Sequence, residues 1–278
     1  MDTTTTLTGF LAICFGISWT IGIAAGHAGV RMEAADDLRG PLVAATMMLV
    51  PALSAAIMRW HARRKQIPLP DAGFKLGPRA AYVWIWLLAP LILGGCFALS
   101  IVLGIAAPKP LGIPDDMTLL MLVSAPTINL FATTLFTFGE EYGWTGLLLP
   151  LLLQRGLTPM QAAAIYGAIW GAWHWPLIWI GHNYPGHPIA GSILMIGLCI
   201  ALGLVQTALR IHTGSVIVTS FAHACVNCWA NLFARAFEHV DVLFGGVTGV
   251  VGIVVLGSIG LQLHRALRAQ HPASAPVE

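Results

Sequence analysis

Residues 137–146 read TFGEEYGWTG and place two adjacent carboxylates, Glu140 and Glu141, inside a long apolar segment. A charged side chain at the centre of a bilayer costs about 2.5–3.5 kcal/mol on insertion scales, so ionisable residues in membrane helices are usually paired and often functional. Two other apolar segments carry polar groups at similar depth: one contains His174, and the other contains His223 and Asn227. Whether these groups meet in one cavity is therefore the main question that the sequence raises.

The composition is that of a membrane protein. Of the 278 residues, 57% are hydrophobic and 9% are charged, and the mean hydropathy is +0.78, whereas a soluble domain has about 25% charged residues. We therefore expect an all-α, polytopic integral membrane bundle that forms one domain over residues 1–278 and lies in a lipid bilayer. The formal net charge of +2 is too small and too scattered to indicate a nucleic-acid partner.

Apolar windows of about 20 residues, the length that a transmembrane helix needs, predict about eight spans. They fall near residues 7–25, 41–58, 80–107, 128–153, 161–180, 189–209, 214–236 and 242–263. The first window has no basic residue ahead of it, so we expect a retained helix and no cleaved signal peptide. Pro126 interrupts a further apolar stretch because proline lacks the helical N–H donor, and residues 117–125 are predicted to form a lead-in or re-entrant piece.

The distribution of Lys and Arg predicts the orientation. Residues 59–79 hold six of the 14 basic residues, and the positive-inside rule places this connection in the cytoplasm. Both termini are then cytoplasmic, in a multi-pass protein of the cell membrane. The same face holds Arg155, Arg210, Arg265 and Arg268. The opposite loops include the segment 181–188, which has no Lys or Arg, and carry Asp36, Asp37, Asp115, Asp116 and Asp241.

The five cysteines all fall in apolar segments, where a free Cys behaves as a small hydrophobe; they are Cys14, Cys96, Cys199, Cys225 and Cys228. This placement does not indicate a disulfide framework. Cys225 and Cys228 have the spacing of a redox or metal motif. In a membrane helix the same spacing puts one small residue on each turn, which is the interpretation we prefer.

The polar groups of the three segments fall at one depth. Spans over 128–153, 161–180 and 214–236 have midpoints near residues 140, 170 and 225, within about a turn of Glu140, His174 and His223. A lipid-facing position would leave each group without a hydrogen-bond partner, whereas one aqueous cavity explains all three. Asn227 shares a helix face with His223, four residues away. Glu140 and Glu141 point about 100° apart, so at most one of them faces the cavity squarely.

Peptide hydrolysis is the chemistry that fits these residue types. A buried carboxylate can act as a general base toward water, and a neighbouring His can orient that water or protonate the leaving amine. His223 and Asn227 can donate hydrogen bonds to the developing oxyanion, a contribution of about 3–4 kcal/mol. Pro176 follows His174 by two residues and predicts a helix kink beside the site.

Three motifs on separate apolar segments carry a family resemblance; they are Glu140-Glu141 followed by Gly146, Trp170-x-x-x-His174, and His223-x-x-x-Asn227. In this order they resemble the CAAX-prenyl-endopeptidase and bacteriocin-processing family of intramembrane proteases, over about residues 125–235. Each motif alone is weak, and the three together are fairly specific.

The resemblance implies roles for five residues. Glu140 is expected to activate water together with His174. His223 and Asn227 are expected to form the oxyanion hole, with Glu141 in support. The resemblance also implies a helical membrane fold with a site open to the cytoplasm, and a peptide or protein substrate that is prenylated or membrane-associated. We favour a glutamate-type peptidase that uses no cofactor and no metal.

Two positions depart from the family pattern. The first motif usually reads Glu-Glu-x-x-x-Arg, and this chain has Thr145 at the position of the Arg, which removes a cation that would pair with a carboxylate. Trp170 stands where Phe is usual, and we expect that exchange to change bulk and not chemistry. Thr145 leaves three outcomes open. The protein is an active enzyme whose carboxylates have different neighbouring groups, an active enzyme with a narrower range of substrates, or a family member that has lost its catalytic activity.

Other functions stay open on the sequence alone. His174, His223 and Glu140 are a possible zinc ligand set, so a zinc-dependent membrane protease is the main competing chemistry, although no HExxH motif is present. Non-enzymatic alternatives are a degenerate family member acting as a membrane binding or immunity protein, and a transporter with a Glu/His proton relay. The polar groups could also be structural pairs between helices. The Trp cluster at positions 170, 173, 175 and 179 is expected to pack at the lipid or the membrane interface.

Overall fold

The computed structural model describes residues 3–34, 37–110 and 116–270. Its helices are α1 (Thr3–His27), α2 (Arg39–Arg64), α3 (Arg79–Val102), α4 (Asp116–Ser124), α5 (Ile128–Gly143), α6 (Leu149–Gln154), α7 (Pro159–Trp173), α8 (Trp175–Trp179), α9 (Pro188–Thr213), α10 (Val216–Ala234) and α11 (Val250–Gln270). A π-helical segment, Trp144–Leu148, joins α5 to α6, and the strands β1 (Ala106–Pro108) and β2 (Phe237–Val240) pair antiparallel. Asp36, Asp115 and both chain ends, for which the sequence predicted an orientation, lie outside the described residues.

The described residues form an all-α membrane bundle, as predicted. Within the described ranges, six helices are long and apolar enough to cross a membrane: α1, α2, α3, α9, α10 and α11. Two other predicted spans are built from more than one helical segment. In the first, α5, the π-helical segment Trp144–Leu148 and α6 follow one another without a break over residues 128–154. In the second, α7 and α8 are separated at His174. The count of about eight spans stays a prediction.

Two span boundaries differ from the prediction because the chain turns sharply near one face. The predicted span 80–107 stops at Val102, and Gly104 then adopts a left-handed conformation with φ of +71° before β1 begins. The predicted span 242–263 starts at Val250, because residues 241–249 form turns in which the Asp241 carboxylate accepts hydrogen bonds from the backbone of Leu243 and Phe244. The short sheet between these turns was not predicted.

Glycines set the close approach of the helices that carry the site. On α7, a Cβ at Gly167 would lie 2.7 Å from the Cys199 carbonyl oxygen, and one at Gly171 would lie 2.5 Å from the Ile196 Cα. On α5, a Cβ at Gly143 would lie 2.6 Å from the Pro51 Cβ. Small residues at such crossings let helix backbones pack directly together in membranes. Helix α7 is therefore fixed against α9, and α5 against α2.

A tight hairpin joins α9 to α10. Gly214 ends α9 in the left-handed conformation with φ of +63°, and the Ser215 side chain caps α10 by accepting a hydrogen bond from the Val218 backbone. The hairpin brings Gln206 beside Thr219, whose carbonyl accepts a 3.0 Å hydrogen bond from the Gln206 amide. This places two helices with polar side chains next to α5.

Candidate active site

A cavity of about 930 Å³ lies among α2, α5, α7, α9 and α10. The four residues that the sequence assigned to catalysis all line it; they are Glu140, His174, His223 and Asn227. Glu141, the assigned supporting residue, is not among the lining residues, and its side chain is 1% exposed. The three motifs, which are far apart in the sequence, therefore meet at one cavity, with only one of the two adjacent carboxylates facing it.

Glu140 is held by Trp170. The Glu140 side chain is 3% exposed, and its Oε2 accepts a 2.7 Å hydrogen bond from the Trp170 indole Nε1. We expected Trp170 to change bulk and not chemistry, and this expectation is wrong, because the indole supplies a donor that a Phe side chain does not have. One carboxylate oxygen of the first motif is thereby fixed on the indole of the second motif.

Glu141 is held by three side chains from three segments. Its Oε1 accepts hydrogen bonds from the His223 Nδ1 at 3.1 Å and from the Gln206 amide at 3.3 Å. Its Oε2 accepts a 2.8 Å hydrogen bond from the Thr145 hydroxyl, which also lies 2.9 Å from the Thr219 hydroxyl. Thr145 thus supports Glu141 with a neutral donor at the position where the family has a cation. The pairing of Glu141 with His223 had no signal in the sequence.

The partners of the two His rings decide which nitrogen carries a proton. A carbonyl or carboxylate oxygen only accepts, so a ring nitrogen bonded to it must be the donor. The His174 Nδ1 lies 2.9 Å from the Trp170 carbonyl oxygen, which leaves the Nε2 of neutral His174 as an acceptor. The His223 Nδ1 is bonded to Glu141. With an ionised Glu141, the Nε2 of His223 is a donor when this ring is the imidazolium and forms an ion pair with Glu141. With a protonated Glu141 that donates to Nδ1, the neutral ring carries its proton on Nε2.

The predicted break beside Pro176 is present at His174. The His174 backbone N–H bonds to the Gly171 carbonyl at 3.2 Å, which leaves the Trp170 carbonyl to accept from the His174 ring. Helix α8 then begins at Trp175, with Pro176 in its first turn, where a missing N–H costs least. The His182 ring, from the loop after α8, lies parallel to the His174 ring with centroids 6.3 Å apart. The break thus turns His174 toward the loop end of the cavity.

Two residues separate the π-helical segment Trp144–Leu148 from the two carboxylates, and no sequence pattern predicts this segment. Single π-helical turns inside α-helices are frequent at functional sites. Two Arg side chains from other helices bind its carbonyls: the Arg210 Nε donates to the Thr145 carbonyl at 3.2 Å, and Arg59 Nη2 donates to the Gly146 carbonyl at 2.6 Å. Cations therefore contact the backbone of the first motif, although position 145 itself carries none.

The Trp cluster is divided between the core and the surface. Trp170 and Trp173 are 2% and 1% exposed, and the Trp173 Nε1 donates a 2.7 Å hydrogen bond to the Ser18 hydroxyl. Trp179 is 67% exposed. The expectation of lipid-facing or interfacial packing is therefore wrong for Trp170 and Trp173, whose indole N–H groups have buried partners, and it agrees with the exposure of Trp179.

The cavity opens on the face of the loop 181–188. Its exposed lining residues include Asn183, in that loop, and Asn231, near the end of α10. The connection 59–79 lies at the other end of α10, where the Val216 backbone donates to the Gly73 carbonyl. The charge pattern predicts a cytoplasmic connection 59–79, and the family resemblance implies a site open to the cytoplasm. These two expectations exclude each other, because the opening and the connection lie at opposite ends of the bundle.

The five cysteines are free and buried. Cys228 lines the cavity, with its Sγ 3.5 Å from the Thr133 hydroxyl. Among the residues that the structure describes, no group of three or more His, Cys, Asp or Glu side chains is arranged to hold a metal ion.

The fold and the site together define a class: a multi-pass membrane protein with a carboxylate, two His and an Asn around a buried cavity. Residues 120–229 match the family model of the Rce1-like proteins, described as type II CAAX prenyl endopeptidase Rce1-like. This segment contains all three motifs, and the match confirms the family resemblance. At the level of the family it supports a CAAX-protease-like intramembrane peptidase. No curated protein matches the chain.

Proposed function

We propose that this protein is an intramembrane endopeptidase of the glutamate type that hydrolyses a peptide bond without a metal or a cofactor. The observation that supports this proposal is the meeting of the three motifs at one cavity. The substrate is a peptide or protein at the membrane, and the protein lies in the cell membrane. The catalytic residues are Glu140, His174, His223 and Asn227, with Glu141 in support.

Glu140 and His174 activate the attacking water molecule. One Glu140 oxygen accepts from Trp170, and we assign to the second oxygen the role of taking a proton from water. The His174 Nε2 is also an acceptor when the Nδ1 donates to the Trp170 carbonyl. Two acceptors on one water molecule orient its lone pair toward the scissile carbonyl carbon. The proton that Glu140 takes from the water is then passed to the leaving amine, as general acid–base catalysis requires.

Oxyanion binding falls to His223 and Asn227, which are one turn apart on α10 and line the same cavity. Asn227 offers its side-chain amide N–H groups. His223 offers its Nε2–H when it is the imidazolium, and the buried Glu141 carboxylate stabilises that charge through the 3.1 Å contact with Nδ1. A charge-assisted hydrogen bond is stronger than a neutral one, and a preorganised donor needs no reorganisation when the oxyanion forms.

A cleavage assay with labelled peptides tests the proposal. Purified protein in detergent is incubated with a library of prenylated and unprenylated peptides, and the products are identified by mass spectrometry. We expect a subset of the library to be cleaved at a defined bond, and a Glu140→Ala variant that is equally folded to give no product. Absence of cleavage by the folded wild-type protein across the library would favour a degenerate, binding or transport role.

A further inference from the structure

We infer that the substrates enter this site from the face opposite the connection 59–79, and are therefore extracytoplasmic segments of exported or membrane proteins. This inference rests on the peptidase function proposed above and names its substrate class. A prenylated C-terminus in the cytoplasm would face the closed end of the bundle. Four sets of observations carry the inference: the extent of the cavity, the chemistry of its walls, the closure of the other face, and the distribution of charge.

The cavity extends from the catalytic residues in one direction only. On α5 the lining residues are Asn129, Thr133, Phe136 and Glu140, which precede the π-helical segment. On α10 the lining begins at His223 and continues to Ala234. The first residue of α10, Val216, is hydrogen-bonded to Gly73 in the connection 59–79. The wall therefore extends from His223 away from that connection. The distance along α10 from His223 to Asn231 is about 12 Å at 1.5 Å per residue.

The walls of the cavity suit a polypeptide. The helices α5 and α10 supply polar groups, namely the side-chain amides of Asn129, Asn227 and Asn231 and the hydroxyl of Thr133. The helices α2 and α9 supply apolar groups, namely Ala44, Ala45, Met48, Met195, Leu198 and Leu202. Side-chain amides both donate and accept, as a peptide backbone leaving water requires, and an apolar wall accommodates side chains. An extended segment can therefore lie along the path from the loop face to Glu140.

The opposite face is closed by packing and by hydrogen bonds. Leu147, Leu148 and Leu149 are fully buried beneath the site. Arg210 joins the connection to the site helices, donating to the Thr145 carbonyl at 3.2 Å and to the Asp71 carbonyl at 3.1 Å. The close contact between the Arg210 side chain and the connection requires a glycine at position 73, where a Cβ would lie 2.5 Å from the Arg210 Cζ.

A second cavity, of about 840 Å³, lies on that face and does not reach the site. Its lining includes Arg59, Asp71 and Tyr142, and it shares no lining residue with the cavity that holds Glu140. A peptide bound there would be separated from the catalytic groups by α5 and the buried residues of the π-helical segment.

The distribution of charge identifies the two faces. Of the 14 Lys and Arg residues, four lie toward the open end; they are Arg31, Arg39, Lys109 and Arg235. The others lie toward the closed end, six of them in residues 59–79. An excess of Lys and Arg marks the cytoplasmic side of a membrane protein. The open end of the cavity is therefore extracytoplasmic.

Thiol labelling in intact cells tests the direction of access. A parent without the five native cysteines receives a single cysteine by Asn231→Cys in the cavity, with Asn183→Cys in the outer loop and Asp71→Cys in the connection as matched controls. We expect an impermeant thiol reagent to label positions 231 and 183 in intact cells, and position 71 only after permeabilisation. Labelling at 183 without labelling at 231, or labelling at 71 in intact cells, would overturn the inference.

Proteoliposomes separate this inference from the proposed function. Wild-type protein is reconstituted, its orientation is determined, and a peptide that is cleaved in detergent is added to the outside. We expect cleavage only by molecules whose loop 181–188 faces the added peptide. Cleavage by molecules with the connection 59–79 facing the peptide would overturn the direction of access and leave the peptidase proposal intact. A protein that cleaves nothing in detergent would instead overturn the peptidase proposal.

Discussion

The contact between Glu141 and His223 determines which atoms of the ring can donate to a substrate. With a carboxylate at Nδ1, His223 can carry a second proton at Nε2 and donate it toward the oxyanion. A neutral amide partner would keep a hydrogen bond to Nδ1 but would not stabilise the imidazolium, so Nε2 would be a neutral donor and not a cationic one. In the proposed function, Glu141 acts through His223 and not on the substrate, and it is absent from the residues that line the cavity.

The substitution Glu141→Gln tests this role. Gln removes the charge, and its amide can donate to the Nδ1 of a neutral His223 that keeps its proton on Nε2. A neutral donor then replaces a cationic one, so we expect kcat to fall about tenfold, the difference between a charge-assisted and a neutral hydrogen bond, with little change in KM. The control is Thr145→Val, which removes a hydrogen bond to Glu141 and keeps its charge, and which should lower kcat less. A Glu141→Gln protein with the wild-type kcat would contradict the ion pair.

Asn227→Ala tests the second oxyanion donor. Steady-state kinetics should show kcat lowered by about 10²–10³-fold with a small change in KM, while thermal stability changes little, because the Asn227 side chain faces a cavity that water can enter. Asn231→Ala, one turn further along α10, removes an amide from the cavity wall away from the oxyanion and should raise KM while leaving kcat near the wild-type value. If Asn227 were an interhelical clamp, its substitution would lower stability by about 0.6 kcal/mol and leave the rate per folded molecule unchanged.

Chelation tests the zinc alternative. The proposed site uses a carboxylate base and hydrogen-bond donors in place of a Lewis acid, so o-phenanthroline should leave the cleavage rate nearly unchanged. A non-chelating phenanthroline isomer is the control for binding of the reagent. A rate that is lost with the chelator and returns on addition of zinc would reassign His174, His223 and Glu140 as metal ligands.

At the scale of the helices, the position of His174 depends on the contact between α7 and α9. Gly171→Val should push α7 away from the Ile196 backbone. We expect a loss of stability of about 1–3 kcal/mol, the usual cost of overpacking, and a loss of activity of up to about 10²-fold from misplacement of the site. Thermal unfolding and the rate per folded molecule measure the two effects.

Gly16→Val is the matched control for Gly171→Val, because a Cβ at Gly16 would meet no atom within 4 Å. This variant should keep both stability and activity close to wild type. Equal behaviour of the two variants would show that the close approach of α7 and α9 is not needed to hold His174.

The sequence predicted the features that depend on local chemistry. Apolar length indicated most of the helices, Pro176 indicated the break beside His174, and equal depth along three segments indicated the shared cavity. Features that depend on pairs of distant residues were missed. Trp170 bonds to a residue 30 positions away and Arg210 to one 65 positions away, and neither the π-helical segment nor the burial of Trp173 follows from periodicity or composition.

At the scale of the whole molecule, the bundle combines a closed basic face with a cavity that opens on the opposite face. The closed face is formed by the connection 59–79, the π-helical segment and the hairpin between α9 and α10. The resemblance to CAAX proteases implies access from the cytoplasm, which is the opposite direction. The sequence of a single helix does not reveal which of its ends lines the cavity. Only the assembled bundle shows which ends of the helices line the cavity.

The central claim is that Glu140 activates the water that cleaves the peptide bond, and its most direct test is the single-turnover cleavage rate of a Glu140→Gln variant. Gln can still accept the hydrogen bond from Trp170 and cannot take a proton from water. We expect the rate to fall about 10²–10⁴-fold, the range for loss of a general base, at unchanged thermal stability. A folded Glu140→Gln protein that cleaves the peptide at the wild-type rate would contradict the account.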